Sequence, residues 1–254
     1  MWNNPRQLNI IASAMYAGLI AIMLAGTGLW LQQWPAFALR TLYLTGDIKH
    51  INRQIVRQNV LGRLHGNFFT VDLDKMRAAF EQIPWVRQVS VRRVWPNALV
   101  AKLEEYQPLG IWGNNQLVSV NGEVFTANQD DVDAKKLPIF SGPMGSEYKV
   151  VARYHDFQKW FKAIGAKPKE VILSPRYAWT VRLTNGMQVE LGRERNKDTL
   201  ASRARRLVVA WPMVMQRWGN DIEYVDLRYP NGFALRAKKM RFILDDSKVK
   251  KLRP

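Results

Sequence analysis

From Gln7 to Leu39 the chain carries no charged side chain, and inside that window Leu8–Leu31 is interrupted only by Asn9, Ser13 and Thr27 among strongly polar residues. About 20 apolar residues rising 1.5 Å each cross a hydrocarbon core of about 30 Å. Trp30 and Trp34 fall where an interfacial aromatic belt would lie, and Pro35 stops the helix. A cleaved signal peptide is the competing reading, but its apolar region runs only about 7–15 residues. The nearest cleavage-like triplet, Ala12-Ser13-Ala14, precedes most of the apolar run. Length therefore favours a retained transmembrane helix with its flank over 8–34, behind a short tail of residues 1–7.

Which side the rest occupies does not follow from the flanks. Arg6 and the α-amine precede the run, whereas Arg40, Lys49, Arg53 and Arg57 follow it. A literal positive-inside count would keep the body cytoplasmic, but the rule weakens for long translocated domains. Within the helix, Ala14, Gly18, Ala21, Ala25 and Gly28 share one face at spacings of three and four. A small-residue face of this kind is a candidate packing surface for a second membrane helix.

Residues 36–107 read as a self-contained β-α-α-β-β unit. Leu39–Thr45 is a short strand ended by Gly46, Asn52 caps a helix reaching Val60, and Asp72 caps a second helix that Pro84 stops. Alternation then marks a strand ending near Trp95, a turn at Pro96-Asn97, and a return strand over Leu99–Glu104. Trp95 shares a strand face with Val89 and Val91, and Trp85 follows the helix stop; both are expected in the core.

Residues 108–237 read as a mostly antiparallel β domain with flanking helices. Hairpin signals stand at Gly113-Asn114-Asn115 and Asn185-Gly186, and helical periodicity covers Tyr148–Ile164 and Asp198–Met215. A strand over Ile222–Tyr229 turns at Pro230-Asn231-Gly232 into Phe233–Ala237, and residues 238–254 form a basic tail. The fold class is thus α+β.

Catalytic motifs are not found. The chain has no GxSxG, GxxxxGK[ST], HExxH or complete GxGxxG motif. His50, His65 and His155 stand singly, while Glu104 and Glu105 are strand neighbours that face opposite sides. With no cysteine there is no disulfide, thiolate metal site or thiol nucleophile. No enzyme activity, cofactor or metal is expected. The net charge of +17 would suit phosphate, anionic lipid or an acidic partner. No nucleic-acid-binding motif accompanies it, so nucleic acid is not expected as a partner.

Several segments, in order, carry a resemblance. These are Leu39–Gly46, Phe69-Thr-Val-Asp72, Ile83-Pro-Trp-Val-Arg-Gln-Val-Ser-Val-Arg92, Trp95-Pro96 and Glu105-Tyr106-Gln107-Pro108. Further on come Leu137-Pro-Ile-Phe-Ser-Gly-Pro143, Leu191-Gly-Arg193 and Tyr224-Val-Asp-Leu-Arg-Tyr229. Together they resemble the FtsQ family of bacterial cell-division proteins, in which a single membrane anchor precedes a POTRA domain. The resemblance covers roughly Leu8 to Ala237.

It implies a non-enzymatic divisome scaffold in the bacterial inner membrane, with the N-terminus cytoplasmic and the body periplasmic, at the septum. Its implied partners are FtsB and, through it, FtsL, together with other divisome membrane proteins, linking early ring components to septal peptidoglycan synthesis. The positions matching the family's FtsB-binding region are Arg176, Arg228, Tyr229, Asn231, Gly232 and Phe233. If the last strand ends a sheet, its free edge would take an added strand of the partner, with the two arginines pairing acidic residues. Where some relatives place a Trp after the last turn, this chain has Arg236-Ala237, and Phe233 is the alternative aromatic. The other reading is a POTRA-bearing component of an export or outer-membrane assembly system, which predicts tandem POTRA repeats or a long barrel-forming region.

Overall fold

A computed structural model describes residues 5–32, 34–63 and 65–238 of the chain. Apart from Lys238, the basic tail therefore lies outside the described residues, as does the start of the short N-terminal tail. The chain divides after Tyr106 into two compact units.

The first unit opens with helix α1, Pro5–Gln32. Its stretch Asn9–Trp30 has a mean hydropathy of 1.9, none of it is buried, and it is long and apolar enough to cross a membrane. Ala14, Gly18, Ala21, Ala25 and Gly28 lie along it, and a Cβ built at Gly18 or Gly28 would meet nothing within 4 Å. A single 3-10 turn, Pro35–Phe37, follows.

Next come strand β1 (Thr41–Thr45), helices α2 (Arg53–Asn59) and α3 (Leu73–Glu81), and strands β2 (Val86–Val94) and β3 (Ala98–Glu105). This is the β-α-α-β-β order read from the sequence. The expected caps are in place: Asn52 Oδ1 accepts from Ile55 N at 2.9 Å, and Asp72 Oδ1 from Asp74 N and Lys75 N at 3.1 and 3.0 Å. Strand β3 lies between the other two, parallel to β1 and antiparallel to β2. Its Leu99, Ala101 and Leu103 join Val56, Met76, Phe80, Ile83 and Val89 in the core.

Trp85 and Trp95 part company. Trp85 is 4% exposed, stacked on the His50 ring at 3.8 Å. Trp95 is 65% exposed, which corrects the core assignment. Strand β2 ends at Val94, so the alternation that placed Trp95 beside Val89 does not reach it. It stands in the turn 95–97 and meets the Phe37 and Phe68 rings.

Glu104 and Glu105 do point apart. Glu104 accepts from Arg87 Nη1 at 2.7 Å. Glu105 is buried, and its carboxylate accepts from the successive amides of Lys49, His50 and Ile51, each at 3.0 Å. A buried carboxylate is tolerable only when its lone pairs are taken up in this way.

Among the described residues, the second unit is one nine-stranded sheet with two α-helices. Its strands are β4 (Pro108–Trp112), β5 (Gln116–Ser119), β6 (Val124–Phe125), β7 (Ile139–Ser141), β8 (Pro168–Leu173), β9 (Ala178–Leu183), β10 (Gln188–Arg193), β11 (Ile222–Asp226) and β12 (Ala234–Ala237). They lie in the order β12-β11-β10-β9-β8-β7-β4-β5-β6. Helix α4 (Glu147–Phe161) and helix α5 (Thr199–Trp218) connect β7 to β8 and β10 to β11, both parallel pairs. A parallel pair needs a long crossover, which these helices supply. Val151, Tyr154, Phe157 and Phe161 of α4 are all buried as the periodicity requires. With Leu200, Ala204 and Leu207 of α5 they cover Trp179, Val181, Val189 and Leu191.

Candidate partner-binding site

Strand pairing brings the two distant parts of the predicted site to one end of the sheet. Ile172 pairs with Thr180, Thr180 with Glu190, Glu190 with Asp226, and Asp226 with Ala234. This row crosses β8, β9, β10, β11 and β12. Beyond it on the same side project the β8–β9 turn carrying Arg176 and the β11–β12 turn carrying Arg228 to Phe233. Among the described residues β12 is the terminal strand, so one side of its backbone has no strand partner.

The side chains at this end divide by burial. Tyr229 is 54% exposed, so it does not serve as a core tyrosine of an ordinary hairpin. Arg176 and Asn231 are exposed, Gly232 is half-buried, and Phe233 is half-buried against the sheet's core. Strand β11 stops at Asp226 and β12 starts at Ala234, so the connection is longer than the predicted three-residue turn.

Arg228 already has a carboxylate. Its Nε lies 2.9 Å from Asp226 Oδ1 and its Nη2 2.6 Å from Asp226 Oδ2, a bidentate pair. The Arg228 amide also donates to Asp226 Oδ1, at 3.0 Å. These bonds hold the buried Asp226 carboxyl below the usual carboxylate range and raise the Arg228 guanidinium above its ordinary value. Gly192 gives the Arg228 stem its path. It sits at a bulge of β10 with φ +73°, and a Cβ there would come within 2.8 Å of Arg228 Cγ.

Two arginines of α5 hold the surrounding backbone. Arg203 Nη1 donates to Leu191 O at 2.6 Å and Arg193 O at 3.0 Å. Arg206 donates to Leu227 O at 3.2 Å, to Tyr229 O at 2.8 Å and also to Pro230 O. A cleft of about 470 Å³ lies beside them, lined by Arg195, Thr199, Arg203, Arg206, Arg228 and Tyr229 among others. Burial, and then the like charges of Arg195 and Arg206, push the Arg203 guanidinium below its ordinary value. The site can therefore offer main-chain hydrogen bonds along β12, an exposed aromatic ring and a concentrated positive field.

Sequence reasoning did not single out Asp226, Gly192, Arg203 or Arg206 as part of this site. Gly192, Arg203 and Arg206 act across β10, α5 and the residues after β11, which no local signal brings together, whereas Asp226 and Arg228 stand two residues apart. The small-residue face of α1 belongs to the other unit and is not part of this constellation.

Comparison with known proteins covers both units. Residues 37–106 match the family model of the FtsQ-type POTRA domain, and residues 110–228 that of the C-terminal part of cell division protein FtsQ/DivIB. The chain is 67% identical to cell division protein FtsQ of Burkholderia pseudomallei over 99% of its own length and all of that protein's. It is 42% identical to FtsQ of Bordetella pertussis over 92% of each chain, and 30% identical to FtsQ of Neisseria gonorrhoeae over 93% and 95%. With an apolar N-terminal helix, a POTRA unit and a β-rich unit in the family's order, matched along nearly its whole length, this chain belongs to the FtsQ family of cell-division proteins.

Proposed function

We propose that the chain is a non-enzymatic scaffold of the division machinery, anchored by α1 in the bacterial inner membrane with its body periplasmic. In this reading the edge of β12 receives a strand of FtsB, and FtsL is recruited with it. The observation that carries the reading is the conjunction at one sheet end of a terminal strand, open on one edge among the described residues, with an exposed Tyr229. Strand addition would satisfy the open N–H and C=O groups of β12, while Tyr229 supplies an aromatic anchor of the kind that dominates interfaces. Arg176, Asn231, Gly232 and Phe233 border the incoming chain, and Arg228 reaches it either alongside Asp226 or by exchanging that partner for an acidic residue.

The test is recovery of FtsB and FtsL with the full-length anchored protein, comparing the parent with Arg176→Glu and Tyr229→Ala. Both variants are expected to keep the parental melting temperature and to lose FtsB. Two variants that fold normally and still recover FtsB as the parent does would overturn the site. Reporter fusions active only in the periplasm or only in the cytoplasm check the orientation. Recovery of unfolded export substrates in place of division proteins would favour the transport reading.

A further inference from the structure

The turn that leaves the membrane helix is built into an exposed aromatic cluster. Phe37 N donates to Trp34 O at 3.0 Å, which folds Phe37 back within one turn of the residues just beyond α1. Phe68 N in turn donates to Phe37 O at 2.9 Å. Four rings then close a circuit: Phe37 meets Phe69 at 4.9 Å and Trp95 at 5.3 Å, while Phe68 meets Phe69 at 5.3 Å and Trp95 at 5.7 Å. Arg93 fixes the loop beneath them, its Nε donating to Phe68 O and its Nη2 to Val71 O, both at 2.7 Å. The cluster is ordered by these bonds, yet Phe69 remains 44% exposed and Trp95 well over half. A soluble domain gains nothing by presenting such a patch to water.

We infer that this four-ring cluster is a membrane-contact surface, seated in the headgroup region of the same bilayer that α1 spans. Chain continuity selects the occupant: Trp30 and Trp34, in ring contact at 4.5 Å, lie at the helix's end, and Phe37 is one turn further along. Trp95, whose indole pairs an apolar body with an N–H, favours that depth, and the three phenylalanine rings add apolar area beside it. Arg40 supplies charge complementarity to anionic lipid; it is exposed, and its amide donates to Asn97 O at 3.0 Å, beside Trp95. The first unit would thus rest on the membrane through the end of the sheet that carries the β2–β3 turn. The placement rests on α1 spanning the bilayer and is independent of the partner site.

Because the chain has no cysteine, one introduced cysteine carries a unique nitroxide. We would reconstitute the full chain in vesicles of phosphatidylethanolamine and phosphatidylglycerol with labels at Phe69→Cys, at Trp95→Cys and, for reference, at Gln88→Cys. Gln88 is exposed and pairs with Glu104 at the opposite end of the β2–β3 hairpin. At Phe69 and Trp95 the expected result is several-fold greater collision with oxygen than with a water-soluble nickel chelate, reversed at Gln88. Two independent sites guard against one label disturbing the fold. Nickel access at both sites equal to that at Gln88 would overturn the placement. Protection that disappears on dilution to one chain per vesicle would overturn it too, since a second copy would then be the cover. Release of the chain by carbonate would overturn the anchor and the placement together.

Discussion

The guanidinium of Arg206 donates to the main-chain oxygen of Tyr229 at 2.8 Å. With further bonds to Leu227 O and Pro230 O, this single α5 side chain ties down the loop that displays the Tyr229 ring. Arg206→Ala removes all three. We expect a loss of about 1.5–3 kcal/mol by thermal unfolding, the range for hydrogen bonds to a charged group. If the proposed site is right, FtsB recovery should fall further than that loss predicts, because Tyr229 is no longer held in one place. Unchanged recovery would separate the loop's conformation from binding.

The two tryptophans flanking β2 should respond oppositely. Trp85→Ala opens a cavity beneath His50 and is expected to cost about 3–5 kcal/mol in denaturant unfolding. Trp95→Ala removes an exposed ring and should cost under about 1 kcal/mol. Equal costs would contradict their difference in burial.

Acid should weaken the end of the sheet that carries Arg228. Its guanidinium holds Asp226 below the usual carboxylate range. The resulting stability is complete above about pH 4 and is lost as pH falls through the depressed folded value. Asp226→Asn should therefore be less stable than the parent at neutral pH and show a shallower decline below pH 4. Acid titrations followed by circular dichroism compare the two slopes.

Glu105→Gln tests the carboxylate beneath residues 49–51. Oε1 accepts from His50 N and Ile51 N and Oε2 from Lys49 N, with His50 Nδ1 at 3.0 Å from Oε2, so an amide, which turns one of these oxygens into an NH2 donor, leaves at least one N–H facing a donor. We expect a loss of about 1–3 kcal/mol, read by urea unfolding. Hydrogen exchange at Lys49, His50 and Ile51 should accelerate with it.

What the sequence disclosed and what it withheld follow a physical line. Asn52, Asp72, Pro84 and the Asn185-Gly186 pair act within a few residues of themselves, so the elements they bound were legible. Strand β7 is three residues set between Pro138 and Gly142, too short for alternation to show. Strand β8 opens on a proline, shifts register between Pro168 and Glu170, and carries apolar Ile172 on the same face as Glu170, breaking the pattern that would reveal it. Parallel neighbours such as β10 and β11 are joined through a whole helix, so Arg228 meets Gly192 and Arg203 only in three dimensions, although its Asp226 partner stands two residues away in the chain. Trp95 was misread because alternation was carried one residue beyond the end of its strand.

Strand β12 occupies residues 234–237 of a 254-residue chain, and this fixes an order of events during synthesis. Domains fold as units while the chain emerges from its N-terminal end. The POTRA unit is complete long before the edge exists, since β12 must dock on β11, and β11 on a β10 made before all of α5. A chain arrested or clipped anywhere before Ala237 retains its anchor and its first unit but cannot display the finished edge. A partner that pairs with that edge can thus meet only chains translated through β12.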